Sequence, residues 1–168
     1  AEVVAAWAFD YCSNERMRIS NEEGHPARFE LYAKTRMNDM TLATVKKFPF
    51  FLNNREFVGR QIWKSEEGKV LIAMEGTDDK VDYGIPMKSI TRGFARGFWL
   101  LEELSEKNHS KVKQCKITLV TQLDPRGNIP SFIFEKKLHT RYKAICEAID
   151  FFRQDDKIDA AAREELST

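Results

Sequence analysis

From Arg28 to Leu123 the chain passes through six short runs of alternating side chains separated by turn residues, and after Pro130 the apolar period becomes that of a helix. The last change is the sharpest. Cys115, Ile117, Leu119, Thr121 and Leu123 alternate with Lys116, Thr118, Val120 and Gln122, the period of a strand with one covered face. Asp124-Pro125-Arg126-Gly127 then supplies turn chemistry: Asp bonds the backbone ahead, Pro presets φ, and Gly accepts a positive φ. Pro130 suits the first turn of a helix, where its missing N–H costs nothing. Phe134, Leu138, Tyr142, Ile145, Ile149 and Phe152 follow at spacings of three and four, one apolar stripe of a helix over 130–153.

Upstream, Ala1–Tyr11 reads as a helix with Val3, Val4, Trp7, Ala8 and Tyr11 on one face, and polar Asn14–Pro26 as a connector. Strands are expected at 28–36, 40–46, 56–63, 69–75, 90–101 and 113–123, with a longer loop over Gly76–Met87. Consecutive strands joined by short turns imply an antiparallel meander, not βαβ units. The fold class is α+β: a curved antiparallel sheet packed on a long C-terminal helix, a helix grip. One domain is expected over 1–153, followed by a polar, Ala-rich C-terminal tail at 154–168.

At 168 residues the chain is long enough to bury a core unaided. Lys and Arg number 27 against 26 acidic residues, so no global field draws it to nucleic acid. No apolar run reaches the length of a membrane span, and Ala1–Ala8 lacks the basic n-region of a signal peptide. Cys12, Cys115 and Cys146 are odd in number and far apart, which reads as reduced thiols in a cytoplasmic protein. Neither they nor the scattered His25, His109 and His139 have metal-ligand spacing. No phosphate-binding glycine loop or nucleophile elbow is present, and no catalytic residue, metal or cofactor is assigned.

Two strands carry polar groups that need an account. Phe57, Gly59, Gln61 and Trp63 share one face of the third strand, opposite Val58, Arg60 and Ile62. On the fifth, Ile90, Arg92, Phe94, Arg96 and Phe98 share one face, and Thr91, Gly93, Ala95, Gly97 and Trp99 the other. Arginines alternating with phenylalanines describe either a solvated face or polar groups turned into a cavity, where each needs a ligand, water or carboxylate. The glycines opposite them reduce bulk, as expected where a helix or ligand comes close to the sheet.

Three elements resemble one known family. Phe48-Pro49-Phe50-Phe51-Leu52-Asn53-Asn54-Arg55-Glu56-Phe57-Val58 resembles the Pro…Asn-Arg-Asp-Phe/Tyr-Val strand signature of START domains, the lipid-transfer modules related to the steroidogenic acute regulatory protein. Ile90-Thr91-Arg92 through Trp99 is similar to their Val-Arg-Ala…Trp strand, and Gln122 through Pro130 to their Gln-x-Asp-Pro-Lys-Gly-Trp-Ile-Pro element. The resemblance implies a helix-grip fold whose hydrophobic tunnel holds a single lipid: a sterol, phospholipid or sphingolipid. It further implies transient contact with membrane surfaces, no nucleic acid, and gating by the 130–153 helix and the 76–87 loop.

The resemblance also implies a helix and three strands ahead of Ala1. Family members that bind sterol carry an arginine where this chain has Gln61, and the turn tryptophan is Asn128 here. Candidate lipid-facing residues are Phe57, Gln61, Trp63, Arg92, Phe94 and Arg96 from the sheet, with Phe132, Leu138, Tyr142 and Ile145 from the roof helix. The alternatives to lipid carriage are a regulatory or scaffolding module with a vestigial lipid site, and a helix-grip enzyme.

Overall fold

A computed structural model describes residues 1–32, 36–49, 51–84, 86–87, 89–104, 113–138 and 142–165, the side chains of 134, 136–138, 158, 161, 162 and 165 excepted. The described elements run α1 (Glu2–Phe9), α2 (Asn14–Glu22), β1 (Ala27–Glu30), β2 (Asp39–Lys46), β3 (Asn54–Glu66), β4 (Lys69–Gly76), β5 (Ile90–Arg92), β6 (Phe94–Glu103), β7 (Cys115–Asp124), α3 (Ser131–Leu138), α4 (Lys143–Phe152) and α5 (Asp155–Glu165). The strands form one sheet in the order β1-β2-β3-β4-β6-β7, with antiparallel neighbours throughout that path. This is the helix-grip architecture expected from the alternating runs.

The strand expected at 90–101 is broken. Its first three residues, β5, pair parallel with β3 (Asn54 opposite Ile90), and β6 then pairs with β7 from Phe94 and with β4 from Arg96. Gly93 makes the break. Its N–H donates to the Glu56 carbonyl at 2.8 Å, and a Cβ there would lie 2.4 Å from the Phe57 ring. Gly97 is needed for a different close approach, since its Cβ would sit 2.2 Å from the Val120 carbonyl oxygen of β7. The expectation of a helix or ligand against these glycines is therefore corrected: at Gly93 the close neighbour is an aromatic ring of β3, and at Gly97 it is the adjacent strand's backbone.

Within the polar 14–26 stretch expected to be a connector, residues 14–22 are helical. Ser13 caps α2 by accepting from the Arg16 N–H at 3.3 Å, and Glu15 stands in the first turn, where the helix dipole favours it. At the other end, the stripe expected over 130–153 supplies α3 and α4, with 139–141 outside the described residues. Part of the tail is helical as α5.

Register divides the sheet into two faces. Met40 and Leu42 of β2, Gln61 and Trp63 of β3, Val70 and Ile72 of β4, Trp99 and Leu101 of β6, and Ile117 of β7 lie on the inner one. Helix α1 packs there through Ala5, Ala8 and Phe9, closing the main core with Met40, Leu42, Val70, Ile72 and Leu101. Helix α4 lies against α1, with the Phe151 and Phe152 ring centroids 5.9 and 6.0 Å from that of Trp7. The opposite face exposes Ile62, Leu71, Phe98 and Val120 around an open groove of about 760 Å³.

Candidate functional site

The turn before α3 is held by the sheet. Arg126 and Gly127 take φ values of 49° and 71°, and the Asp124 carboxylate accepts from the Arg126 N–H at 2.8 Å. Beneath the turn Arg55, 2% exposed, donates from Nε to the Pro125 carbonyl at 2.8 Å, from Nη2 to that of Arg126 at 3.2 Å, and from Nη1 to that of Asn53. Burial draws its pKa down, and the three carbonyl dipoles replace the water it has lost. The arginine of the strand signature thus sets the start of α3.

A second anchor holds the 77–84 segment. The Glu56 carboxylate accepts from the Tyr83 hydroxyl at 2.6 Å and from Arg92 Nε, while Arg92 also donates to the carbonyls of Thr77 (3.0 Å) and Asp79 (2.9 Å). Burial, then the Glu56 hydrogen bond, push the Tyr83 pKa up and keep its hydroxyl protonated. Its ring packs edge-on against Phe29 at 5.6 Å. Neither Glu56 nor Tyr83 was singled out in the sequence. Glu56 falls within the strand signature, but Tyr83 lies in a loop without periodicity.

The ten candidate residues do not gather at one place. Gln61 is buried and donates through Nε2 to the Phe9 carbonyl at 2.7 Å, fastening α1 to β3. Trp63, half-buried beside it, donates through Nε1 to the Met37 carbonyl at 3.4 Å. Phe57 is half-buried beneath Gly93, and Phe94 half-buried beside Gly76. Arg92 belongs to the Glu56 anchor. Arg96 is exposed on the face opposite Gln61, donating to Gln122 at 2.7 Å in the solvated arrangement. The inward positions of β6 are Ala95, Gly97, Trp99 and Leu101. Phe132 and Tyr142 are both 66% exposed, whereas Ile145 is half-buried one turn before the buried Ala148. The Leu138 side chain lies outside the described residues. Among the described residues no three His, Cys, Asp or Glu side chains converge as metal ligands, and no helix is long and apolar enough to cross a membrane.

No family model and no curated protein matches the sequence. Solved structures do. Human STARD10 superposes with a TM-score of 0.62 at 18% identity, over 90% of this chain and 59% of that one. The lipid transfer and protein localization domain of human StarD13 (DLC2) gives 0.64 at 12%, over 90% and 71%. Human StAR-related lipid transfer protein 5 gives 0.57 at 15%, over 88% and 70%. The chain therefore has the START-domain fold, the architecture of the StAR-related lipid-transfer domains. It spans about three fifths of the STARD10 chain.

Proposed function

We propose that this is a lipid-binding domain that takes up a single lipid between the inner face of its sheet and helices α3 and α4. Agreement of fold with lipid-transfer domains over 88–90% of the chain carries the reading. The inner face supports it: Trp63 and Trp99 offer apolar area beside a few fixed polar groups, the composition of a site that buries a tail and orients a head. Phe57, Gln61, Trp63 and Ile145 are the proposed lipid-facing residues, with Phe94 at the edge. Arg96 is better explained as a solvated group. The exposed Phe132 and Tyr142 suit transient insertion at a membrane surface, with α3 and α4 moving to admit lipid.

A regulatory module with a vestigial lipid site is the second reading, favoured by the seating of α1 within the inner face and by the apolar opposite face. The two separate on lipid retention. Protein incubated with mixed-lipid vesicles and recovered by gel filtration retains lipid under the first reading, and Ile145→Asp removes it. Absence of lipid from the parent protein supports the second. Chemical conversion of the bound lipid, instead of its recovery intact, identifies an enzyme.

A further inference from the structure

Three cations from three elements meet at the inner-face end of β1 and β2, beside α4, and none has a carboxylate at ion-pair distance among the described residues. Arg16 comes from α2, Arg28 from β1 and Lys46 from β2, all half-buried. Arg28 Nη1 donates to the Arg16 carbonyl at 3.3 Å, which ties α2 to β1. The Arg16 guanidinium lies 3.9 Å over the Trp7 ring and that of Arg28 lies 4.1 Å over Tyr11. These aromatic faces hold the cations in place without neutralising them. Among the described residues Arg28 Nε is buried without a hydrogen-bond partner, and Arg16 makes long contacts to the carbonyls of Ala8 (3.5 Å) and Asp10 (3.4 Å).

The surrounding acids act on these cations from beyond ion-pair distance. Glu23 at the end of α2 is bridged by Lys143 of α4 and by His25 Nε2 at 3.2 Å, and Lys143 also approaches Glu147 at 3.6 Å. Glu147 attracts both Arg16 and Lys46, Glu23 attracts Lys46, and Asp10 adds a weaker attraction to Arg16. Glu30 stands two positions beyond Arg28 on the same face of β1, so Arg16, Arg28, Lys46 and Lys143 share Asp10, Glu23, Glu30 and Glu147, yet no described carboxylate lies at ion-pair distance from the first three to offset their burial. Burial and the Arg28 charge bring Lys46 down to about 8, so a bound anion would draw its proton back.

Building on the lipid-binding reading, we propose that Arg16, Arg28 and Lys46 form the recognition site for the phosphate of a phospholipid head group carrying net negative charge. Two guanidinium forks and an ammonium match the oxygens of a phosphoester, and the buried donor of Arg28 gains an acceptor. Lys46 shares its sheet face with Met40 and Leu42, so the head would sit at the end of the same surface that receives the tails.

The test exposes the protein to phosphatidylcholine vesicles containing phosphatidylserine and cholesterol, then identifies the retained lipid by native mass spectrometry. Phosphatidylserine is expected in preference to both others. Arg28→Gln and Lys46→Gln should each cut that preference about tenfold, the worth of one charge-assisted hydrogen bond, with Lys46→Arg keeping it. Circular dichroism verifies folding of each variant, and Lys46→Gln carries the test if Arg28→Gln does not fold. Retention of cholesterol or phosphatidylcholine in preference, or variants that keep the preference, overturns the head-group assignment and leaves lipid binding standing. No retained lipid of any kind overturns both. Thermal stabilisation by inorganic phosphate, lost in Lys46→Gln and unaccompanied by lipid uptake, would reassign the cluster to a soluble phosphoester.

Discussion

Arg55 Nε donates to the Pro125 carbonyl at 2.8 Å, joining two positions separated by 70 residues and fixing where α3 leaves the sheet. The guanidinium satisfies three carbonyls at once, and lysine offers one compact head in place of a planar fork. Arg55→Lys is expected to cost about 2 kcal/mol and Arg55→Ala about 3 kcal/mol or more, because buried carbonyls lose charged donors. Urea unfolding measures both. A neutral Arg55→Lys would show that charge alone holds the turn.

Gln61 makes the corresponding link for α1. Replacing it with leucine keeps the volume and removes one donor from the Phe9 carbonyl, which keeps the Tyr11 N–H at 2.7 Å, so the expected cost is about 1 kcal/mol. Hydrogen exchange should then quicken in residues 2–9 before the strands respond. Global destabilisation with unchanged local exchange would place the role of Gln61 in packing instead.

Removal of the Glu56 charge should release the 77–84 segment. Glu56→Gln leaves Arg92 without its carboxylate and weakens the bond from Tyr83, an expected loss of about 3 kcal/mol for one partner of a buried pair. Limited proteolysis is the direct measure, with cleavage expected after Lys80 first. Unchanged cleavage would mean that the Phe29–Tyr83 contact holds the segment by itself.

Periodicity carried the sheet because each strand has one covered face, and the switch at Asp124–Pro130 marked the start of the final helices. What periodicity could not carry is tertiary. Helix α2 has only Met17 and Ile19 as large apolar residues, so its cap at Ser13 was the signal available. The break at Gly93 changes the strand's partner from β3 to β4 and β7 without interrupting the alternation, so it leaves no mark on the pattern. Arg92 and Arg96 look equivalent in sequence, yet one finds Glu56 and the other a solvated Gln122. Partner choice of that kind is decided by segments far apart along the chain. For the same reason the convergence of Arg16, Arg28 and Lys46 was not legible.

Lys46 gives a pH signature. Its folded pKa of about 8 lies below the 10.5 of a free lysine, so between these values the unfolded chain holds a proton that the folded chain does not. Its charging penalty is complete below the folded value and is relieved as pH rises toward the unfolded one. Stability should therefore climb by roughly 2 kcal/mol between about pH 8 and about pH 10. The window ends there because the raised pKa of Tyr83 acts in the opposite sense once free tyrosine ionises. Arg28, Glu23, Lys143 and Glu147 surround Lys46, and Lys143, whose own pKa the Glu23 hydrogen bond raises, opposes the trend as pH nears the upper end of the window. Urea midpoints for the parent and for Lys46→Gln should differ in slope against pH. Parallel slopes would contradict the assignment.

The most direct test of lipid carriage is native mass spectrometry of the protein purified from its own cells. The expected spectrum holds a species heavier than the polypeptide by the mass of one intact lipid, released on denaturation and restored by incubation with vesicles. A spectrum with only the bare polypeptide, unchanged after exposure to vesicles of mixed composition, would contradict it.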